Sequence, residues 1–483
     1  MDETTLSALL TDIEVALTPG VDPTVSGVAY RSDLVREGDV FFCIPGFKSD
    51  GHSFAADAAR RGASALVVER PVDVPLPQVV VSDARRALAL AAARAYGRPT
   101  ERMNVIGITG TNGKTTTTYL TDAILRAAGT TTGIIGTVET RVAGERIPSS
   151  RTTPESADLQ ALFADMVEAG VGAASVEVSS HAIDLHRVDG VHFAVAAFTN
   201  LTQDHLDYHG TLEEYFAVKR RLFSELDVVE RVINIDGEYG RLLASETGTA
   251  LTVGRSADAQ IRAEDERLDA ILSCFTLVTP TDRIRVALPL AGAYNVSNAL
   301  VAAGCALALG VDLRTIAEGL NHAPQVPGRL ERIDEGQPFT VLVDYAHTPD
   351  SLEKAIAALR AVTEGRVITV FGCGGDRDPE KRPLMGMAAG SASDLVVVTS
   401  DNPRSEDPVG IILHIEDGLR ASGVPYVVEI DRRKAIVRAL GEARDGDAVL
   451  IAGKGHEDYQ IFLDHTIHFD DREVAREELG ALC

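Results

Sequence analysis

The sequence contains no tryptophan, and aromatic residues make up only 5% of its 483 positions. Basic residues are scarce relative to acidic ones, 46 against 71, and the resulting formal charge of −25 argues against a nucleic-acid backbone or an anionic membrane surface as partner. Long apolar runs are absent: no uncharged stretch reaches the roughly 18 to 20 residues of a membrane helix. The opening Met1-Asp2-Glu3-Thr4 has no basic region before an apolar core, so no signal peptide is expected. The five cysteines (Cys43, Cys274, Cys305, Cys373, Cys483) are odd in number and lack CxxC or Cys/His spacing. That excludes a disulfide framework or structural zinc and fits a reduced, cytoplasmic enzyme.

Within these bounds the composition is globular, with 45% hydrophobic and 24% charged residues, and the length implies roughly three domains. Short strand-like segments (40–44, 65–68, 79–81) and a helix over 84–96 precede a Gly97-Arg98-Pro99 break. Strand candidates at 102–109, 173–178, 192–198 and 231–235 alternate with helical patterns, which predicts a parallel sheet covered by helices, followed by a β-rich stretch over 249–290 and a helix over 295–309. A Pro- and Gly-containing segment, Ala323 to Arg329, reads as a second hinge. Strands at 340–344, 367–371, 395–399, 426–430 and 448–452 then predict a further α/β unit. The expected architecture is three α/β domains: a small N-terminal domain (1–100), a central P-loop parallel-sheet domain (101–325) and a Rossmann-like C-terminal domain (326–483).

The densest chemistry lies in Gly107-Ile108-Thr109-Gly110-Thr111-Asn112-Gly113-Lys114-Thr115-Thr116, between a predicted strand and a predicted helix. Glycines there let backbone N–H groups turn toward an anion, and the helix N-terminus adds partial positive charge. Lys114 supplies a cation and Thr115 a hydroxyl for Mg²⁺. The spacing departs from the strict Walker pattern, with Ile108 five positions before Gly113. Two further polar runs follow predicted strands, Glu177-Val178-Ser179-Ser180-His181 and Thr199 to His209, and together they could place Glu177 and His205 with Thr115 around Mg²⁺. Alone, His205 reads as a loop or core histidine; Asp204, Asp207 and His209 beside it favour a site. Lys219 lies in a helical pattern with Tyr215, Val218 and Leu222 on one face, and residue chemistry by itself reads it as an exposed helical lysine. Four polar loops follow the later strands: 344–349, 372–378, Asp401-Asn402-Pro403-Arg404 and Gly453-Lys454-Gly455-His456-Glu457. Their position at strand carboxyl ends suggests a ligand site.

These motifs, with Asn295-Val296-Ser297-Asn298 and Asp344-Tyr345-Ala346-His347-Thr348-Pro349, recur in the same order in the Mur ligase family, and the sequence resembles that family over its whole length. Asp401-Asn402-Pro403-Arg404 is similar to the branch that adds meso-2,6-diaminopimelate to a UDP-N-acetylmuramoyl dipeptide (UDP-MurNAc-dipeptide) in peptidoglycan precursor synthesis. The resemblance implies ATP as the energy source, Mg²⁺, and an acyl-phosphate intermediate. It implies nucleotide contacts from Gly110, Thr111, Asn112, Gly113, Lys114, Thr115, Thr116, Asn298, Arg329, Asp344 and His347, and metal ligation by Thr115, Glu177 and His205. Lys219 matches the family lysine that CO₂ carbamylates, which implies an additional metal ligand and a catalytic role beside Lys114 and His205.

For the uridine-linked substrate the resemblance implies Ser32, Thr152, Thr153, Ser179 and Arg187; for diaminopimelate, Arg377, Asp401, Asn402, Pro403, Arg404, Gly453 and Glu457. One departure is visible: where the family reads Asp-Ser-Arg, this sequence has Arg31-Ser32-Asp33. A cytoplasmic monomer is expected, with small-molecule substrates and neither nucleic acid nor membrane as partner. A nucleotide-driven switch is the rival class, disfavoured because nothing resembles a partner-recognition repeat. The related folylpolyglutamate synthetases are disfavoured by the Asp-Asn-Pro-Arg loop.

Overall fold

Segments rich in valine, isoleucine and alanine form the inner strands of three α/β sheets, because strands covered by helices on both faces must be apolar throughout. The computed structural model describes residues 4–17, 20–47, 49–147, 151–269 and 271–482; Met1 to Glu3 and Cys483, which entered the sequence reading, lie outside them. The first sheet has five strands in the order Val15–Leu17, Gln78–Val81, Ala65–Val68, Asp39–Phe42, Gly27–Ala29, parallel except for the first. Its covering helix, Ala84–Ala95, is capped by Asp83, whose carboxylate accepts from the Arg85 and Arg86 N–H groups. Small buried alanines along this helix bring its axis close to the sheet.

Eleven strands form the central sheet. Seven run parallel, in the order Thr132–Ile135, Ala173–Glu177, Asn104–Thr109, Phe193–Phe198, Val228–Asn234, Leu251–Gly254, Ile261–Leu268. The sheet is not parallel throughout, as the alternating pattern implied. Antiparallel strands extend it at both ends, Thr140–Val142 and Glu145–Ile147 on one side, Ser273–Val278 and Arg283–Leu288 on the other. Helices Lys114–Ala127 and Ala293–Ala308 pack into the largest of its core clusters.

The third sheet orders Glu331–Ile333, Thr340–Asp344, Ala448–Ala452, Val367–Phe371, Leu395–Val398, Tyr426–Val428, with only the first antiparallel. Because the other five are parallel, the loops beginning at Tyr345, Gly372, Thr399 and Gly453 all emerge from one edge. Several strands end slightly earlier than their apolar runs suggested, at Phe42, Glu177, Asn234 and Val428, where the chain leaves the ladder toward the loops. Among the described residues four cysteines are free, and no helix is long and apolar enough to cross a membrane.

Candidate active site

The phosphate loop is built by steric necessity. Gly110 has φ +148° and Gly113 φ +86°, and a Cβ would stand 1.9 Å from Thr199 Oγ1 at the first and 2.2 Å from Asn298 Oδ1 at the second. Residues after the neighbouring strand brace the loop: Asn200 O accepts from the Thr111 N–H at 2.9 Å, and Asn200 Oδ1 from the Asn112 N–H at 3.0 Å. Thr199 Oγ1 donates to Asn112 O at 2.6 Å. Lys114 arches over the loop, donating to Gly110 O and Thr111 O at 2.9 and 2.8 Å. Desolvation lowers its pKa, against the pull of Glu177 and Asp204. Thr115 and Thr116 are buried in the first turn of the following helix.

Thr115 Oγ1 donates to Glu177 Oε2 at 3.0 Å, and Thr137 completes the carboxylate's shell through its N–H (2.9 Å to Oε1) and hydroxyl (3.0 Å to Oε2). Arg329, from the third domain, donates to Thr115 Oγ1 at 3.1 Å. His205 adopts φ +53° and contacts Asp204 and the rings of His181 and Tyr215. Desolvation lowers its pKa to about 4, with Asp204 opposing, so the ring is neutral and able to donate a lone pair. Among the described residues no group of three or more His, Cys, Asp and Glu side chains gathers as a metal cage. The oxygen pair Thr115 and Glu177 nevertheless fits Mg²⁺, which characteristically takes one or two protein carboxylates and completes its shell with phosphate and water.

Lys219 is not the exposed helical lysine its residue chemistry suggested. It is 1% exposed, with Nζ 3.0 Å from Gly110 O, 3.4 Å from Thr109 Oγ1 and 4.7 Å above the Tyr215 ring. The helix Leu212–Ser224, fixed by a capping box between Thr211 and Glu214, carries Tyr215, Lys219 and Leu222 at i, i+4 and i+7, and that face packs inward. Burial, and then the nearby Lys114, hold its pKa well below the ordinary lysine range, with Asp204 opposing.

Thr152, Thr153, Ser179 and Arg187 converge beside Glu177. Thr152 and Thr137 hydroxyls lie 2.9 Å apart, Thr153 Oγ1 donates to Glu177 O at 2.7 Å and accepts from the Ser179 N–H at 3.2 Å, and Arg187 donates to Thr153 O at 3.1 Å. Glu155 pairs with Arg187 at 2.9 Å and with Arg85 of the first domain at 3.3 Å. Ser32 stands apart, opening a short turn of the first domain, where the exchanged neighbours Arg31 and Asp33 pair with each other at 2.6 and 3.1 Å.

In the third domain, Asp344 accepts from the Leu330 N–H at 2.7 Å, and burial raises its pKa to about 6 against Arg329. The Arg329 guanidinium lies 4.7 Å over the Tyr345 ring, and His347 Nδ1 donates to Tyr345 O at 2.8 Å. Asn298 donates to Asn295 Oδ1 at 3.1 Å and borders Gly113. Asn402 Nδ2 donates to Glu457 Oε2 at 2.9 Å, Gln460 fixes Asp401 O at 2.6 Å, and the Gly453 N–H donates to Asp344 O at 3.0 Å. Arg404, φ +54°, donates to Gly375 O at 2.7 Å; Pro403 O accepts from the Glu406 N–H at 3.0 Å. Arg377 is exposed and contacts Asp376 O at 3.4 Å.

The comparisons with known proteins follow the same division. Residues 24–105 match the Mur ligase family catalytic domain, 108–306 the Mur ligase middle domain, and 328–455 the glutamate ligase domain of Mur ligases. The chain belongs to the Mur ligase family. It is 50% identical to a UDP-N-acetylmuramoyl-L-alanyl-D-glutamate–2,6-diaminopimelate ligase of Solibacter usitatus, over 94% of this chain and 93% of that protein. A protein of the same name from Geobacillus kaustophilus is 49% identical over 95% of each. A solved structure with that name superposes with a TM-score of 0.72 at 31% identity, covering 99% of both chains.

As a Mur ligase the chain is an enzyme that forms a bond at a nucleotide's expense, and several residues that contact the side chains described above escaped the sequence reading. Thr137 shares Glu177 with Thr115. Asp350 reaches across domains, accepting from Asn112 Nδ2 at 3.1 Å and Thr202 Oγ1 at 3.2 Å. The fully buried Arg432–Asp471 pair, at 2.7 Å, holds the Ala452 and Ser400 carbonyls at the ends of two neighbouring chain segments. The Asp350 contact predicts that Asp350→Ala raises the KM for ATP by about tenfold, the cost of one charge-assisted contact. Steady-state kinetics with saturating second substrates measures it; an unchanged KM for ATP refutes a role at the phosphate loop.

Proposed function

We propose that this Mur ligase uses ATP to join meso-2,6-diaminopimelate to the D-glutamate of UDP-N-acetylmuramoyl-L-alanyl-D-glutamate. The observation that carries the reading is the near-full-length identity of about half to relatives bearing that name, in a chain whose Asp401-Asn402-Pro403-Arg404 loop stands beside Glu457. Residues 1–100 serve the uridine-linked substrate, 101–325 the nucleotide and 326–483 the amino acid. In the reaction a D-glutamate carboxylate oxygen attacks the γ-phosphorus and ADP leaves. The diaminopimelate amine then attacks the acyl carbon, and phosphate leaves with the C–O bond while the amine loses a proton.

Bringing a carboxylate to a polyphosphate concentrates negative charge, which Lys114, the loop N–H groups and the helix N-terminus offset. Mg²⁺, for which Thr115, Glu177 and His205 are the proposed ligands, would supply further charge neutralisation and orient the phosphates. Thr152, Thr153, Ser179 and Arg187 would bind the acidic substrate beside it. Release of ADP that requires both the UDP-linked dipeptide and diaminopimelate, with lysine and ornithine offered separately, tests the reading. ADP release without the amino acid, or a preference for lysine, would refute it.

Carbamylation of Lys219 by CO₂ belongs to the same proposal. Its support is physical: burial, and then the charge of nearby Lys114, disfavour the ammonium, and the neutral amine is the species that adds to CO₂. The carbamate would turn a cation that repels a metal into an anion that attracts one. Lys219→Ala is then expected to lose about 10²-fold or more in kcat, and a small carboxylate such as acetate to restore part of it. Full activity in the variant, or an intact-mass spectrum without the carbamate under CO₂ trapping, would overturn the assignment.

A further inference from the structure

The proposed amino-acid pocket contains a buried cation beside Asn402 and Glu457. Lys454, the second residue beyond the strand Ala448–Ala452, has a side chain with no exposed area. Its Nζ lies 3.4 Å from Asn402 Oδ1, 3.5 Å from Glu457 Oε2, 3.9 Å from Asp401 Oδ1 and 5.4 Å from the centre of the Tyr459 ring. Arg432, the other buried cation nearby, spends its guanidinium on Asp471 and on the Ala452 and Ser400 carbonyls.

The contacts of Asn402 settle which way its amide faces. Oδ1 accepts from the Ile461 N–H at 3.0 Å and from Lys454, so Nδ2 must face Glu457, to which it donates at 2.9 Å. One Nδ2 hydrogen is thereby committed, and the second remains for a ligand acceptor. A flipped amide would set oxygen against the Glu457 carboxylate and the amide nitrogen against two donors. The Glu457 pKa is raised, by desolvation first and then by Asp401, and Lys454 and Asn402 oppose that rise. The other Glu457 oxygen lies 3.4 Å from the Tyr345 hydroxyl.

We propose that Lys454 is a positioning residue of the amino-acid pocket, locking the Asn402 amide with its N–H outward and holding Glu457 as an anion, so that together they read a carboxylate and an ammonium on a diamino acid. The inference rests on the proposed diaminopimelate reading. Lys454 lies against three residues of that pocket, Asp401, Asn402 and Glu457, and its side chain bonds neither the phosphate loop nor Thr115, so its effect is expected on the amino acid rather than the nucleotide.

The test is steady-state kinetics of Lys454→Met and Lys454→Gln in the full-length enzyme, with UDP-linked dipeptide, ATP and diaminopimelate or lysine. For Lys454→Met the KM for diaminopimelate is expected to rise about 30-fold and the preference over lysine to shrink, with the KM for ATP within about twofold of wild type. Lys454→Gln, whose amide can still donate to Asn402 Oδ1, is expected to recover part of the loss. Equal increases in both KM values, or a diaminopimelate KM within about threefold of wild type, overturn the proposal. If Lys454→Met no longer binds nucleotide, Lys454→Gln decides by the same split, with a rise of about tenfold in the diaminopimelate KM alone supporting it. Wild-type enzyme inactive with diaminopimelate would refute the functional reading instead, so the two failures are distinguishable.

Discussion

Lys114→Ala is expected to abolish ligation while leaving the protein folded. The ammonium sits over the phosphate loop and bonds two loop carbonyls, Gly110 O and Thr111 O, while the buried Glu177 that attracts it keeps its hydrogen bonds from Thr115 and Thr137 when the lysine is removed. Burial already disfavours its charge, and loss of the side chain therefore relieves a desolvation cost in the nucleotide-free protein. During phosphoryl transfer the balance reverses. Charge spreads over the transferred group as the D-glutamate carboxylate approaches, and a preorganised cation in a water-poor site is worth about 3–4 kcal/mol there, or about 10²–10³ in kcat. Because Lys114 also helps bring the nucleotide and carboxylate together, the combined loss in kcat/KM is expected to exceed about 10³-fold. Thermal melting and turnover of the purified variant measure the two halves: a midpoint within a few degrees of wild type with turnover near background. Turnover near wild type would sink the assignment.

What could be read from residues alone, and what could not, separates along a physical line. The phosphate loop was legible because its requirement is local: glycines at 110 and 113, a lysine and hydroxyls between a strand and a helix leave few other uses for the segment. Strand carboxyl ends were legible for the same reason, since apolar runs stop where polar loops begin. Lys219 was misjudged because a charged residue was counted as polar surface, although its spacing from Tyr215 and Leu222 already put it on the buried face of its helix. Thr137 and Asp350 carried no local signal. Thr137 becomes a partner of Glu177 only when the strand Thr132–Ile135 pairs beside Ala173–Glu177, and Asp350 meets Asn112 only when two domains dock. The β-rich stretch over 249–290 was legible and holds Ser273–Val278 and Arg283–Leu288, but alternation of strand and helix gave neither their antiparallel direction nor the opposite-edge strands Thr140–Val142 and Glu145–Ile147.

Arg404→Ala is expected to remove diaminopimelate ligation selectively. Diaminopimelate differs from lysine by a second carboxylate at its far end, and burying that charge requires a fixed donor. Arg404 is fixed twice, through its backbone N–H to Ile461 O at 3.0 Å and through Nη1 to Gly375 O at 2.7 Å. Gly374 makes room for the guanidinium, since a Cβ there would lie 2.9 Å from Nη1. A planar fork so held can present parallel N–H groups to a carboxylate, and Asn402 beside it can add an amide N–H. Lysine would leave that fork without a partner, and a site built for a polar group rejects an analogue lacking it by roughly 10⁴. Removing the fork is therefore expected to cost about 10³-fold or more in kcat/KM for diaminopimelate, to change the KM for ATP little, and to collapse the preference over lysine. Arg404→Lys should behave similarly, because an ammonium keeps the charge but loses the bidentate geometry. If Arg404→Ala retains its apparent affinity for diaminopimelate, or Arg404→Lys retains full discrimination, the fork is not the selector, and choice of amino acid must reside in Asn402, Glu457 and the buried lysine behind them.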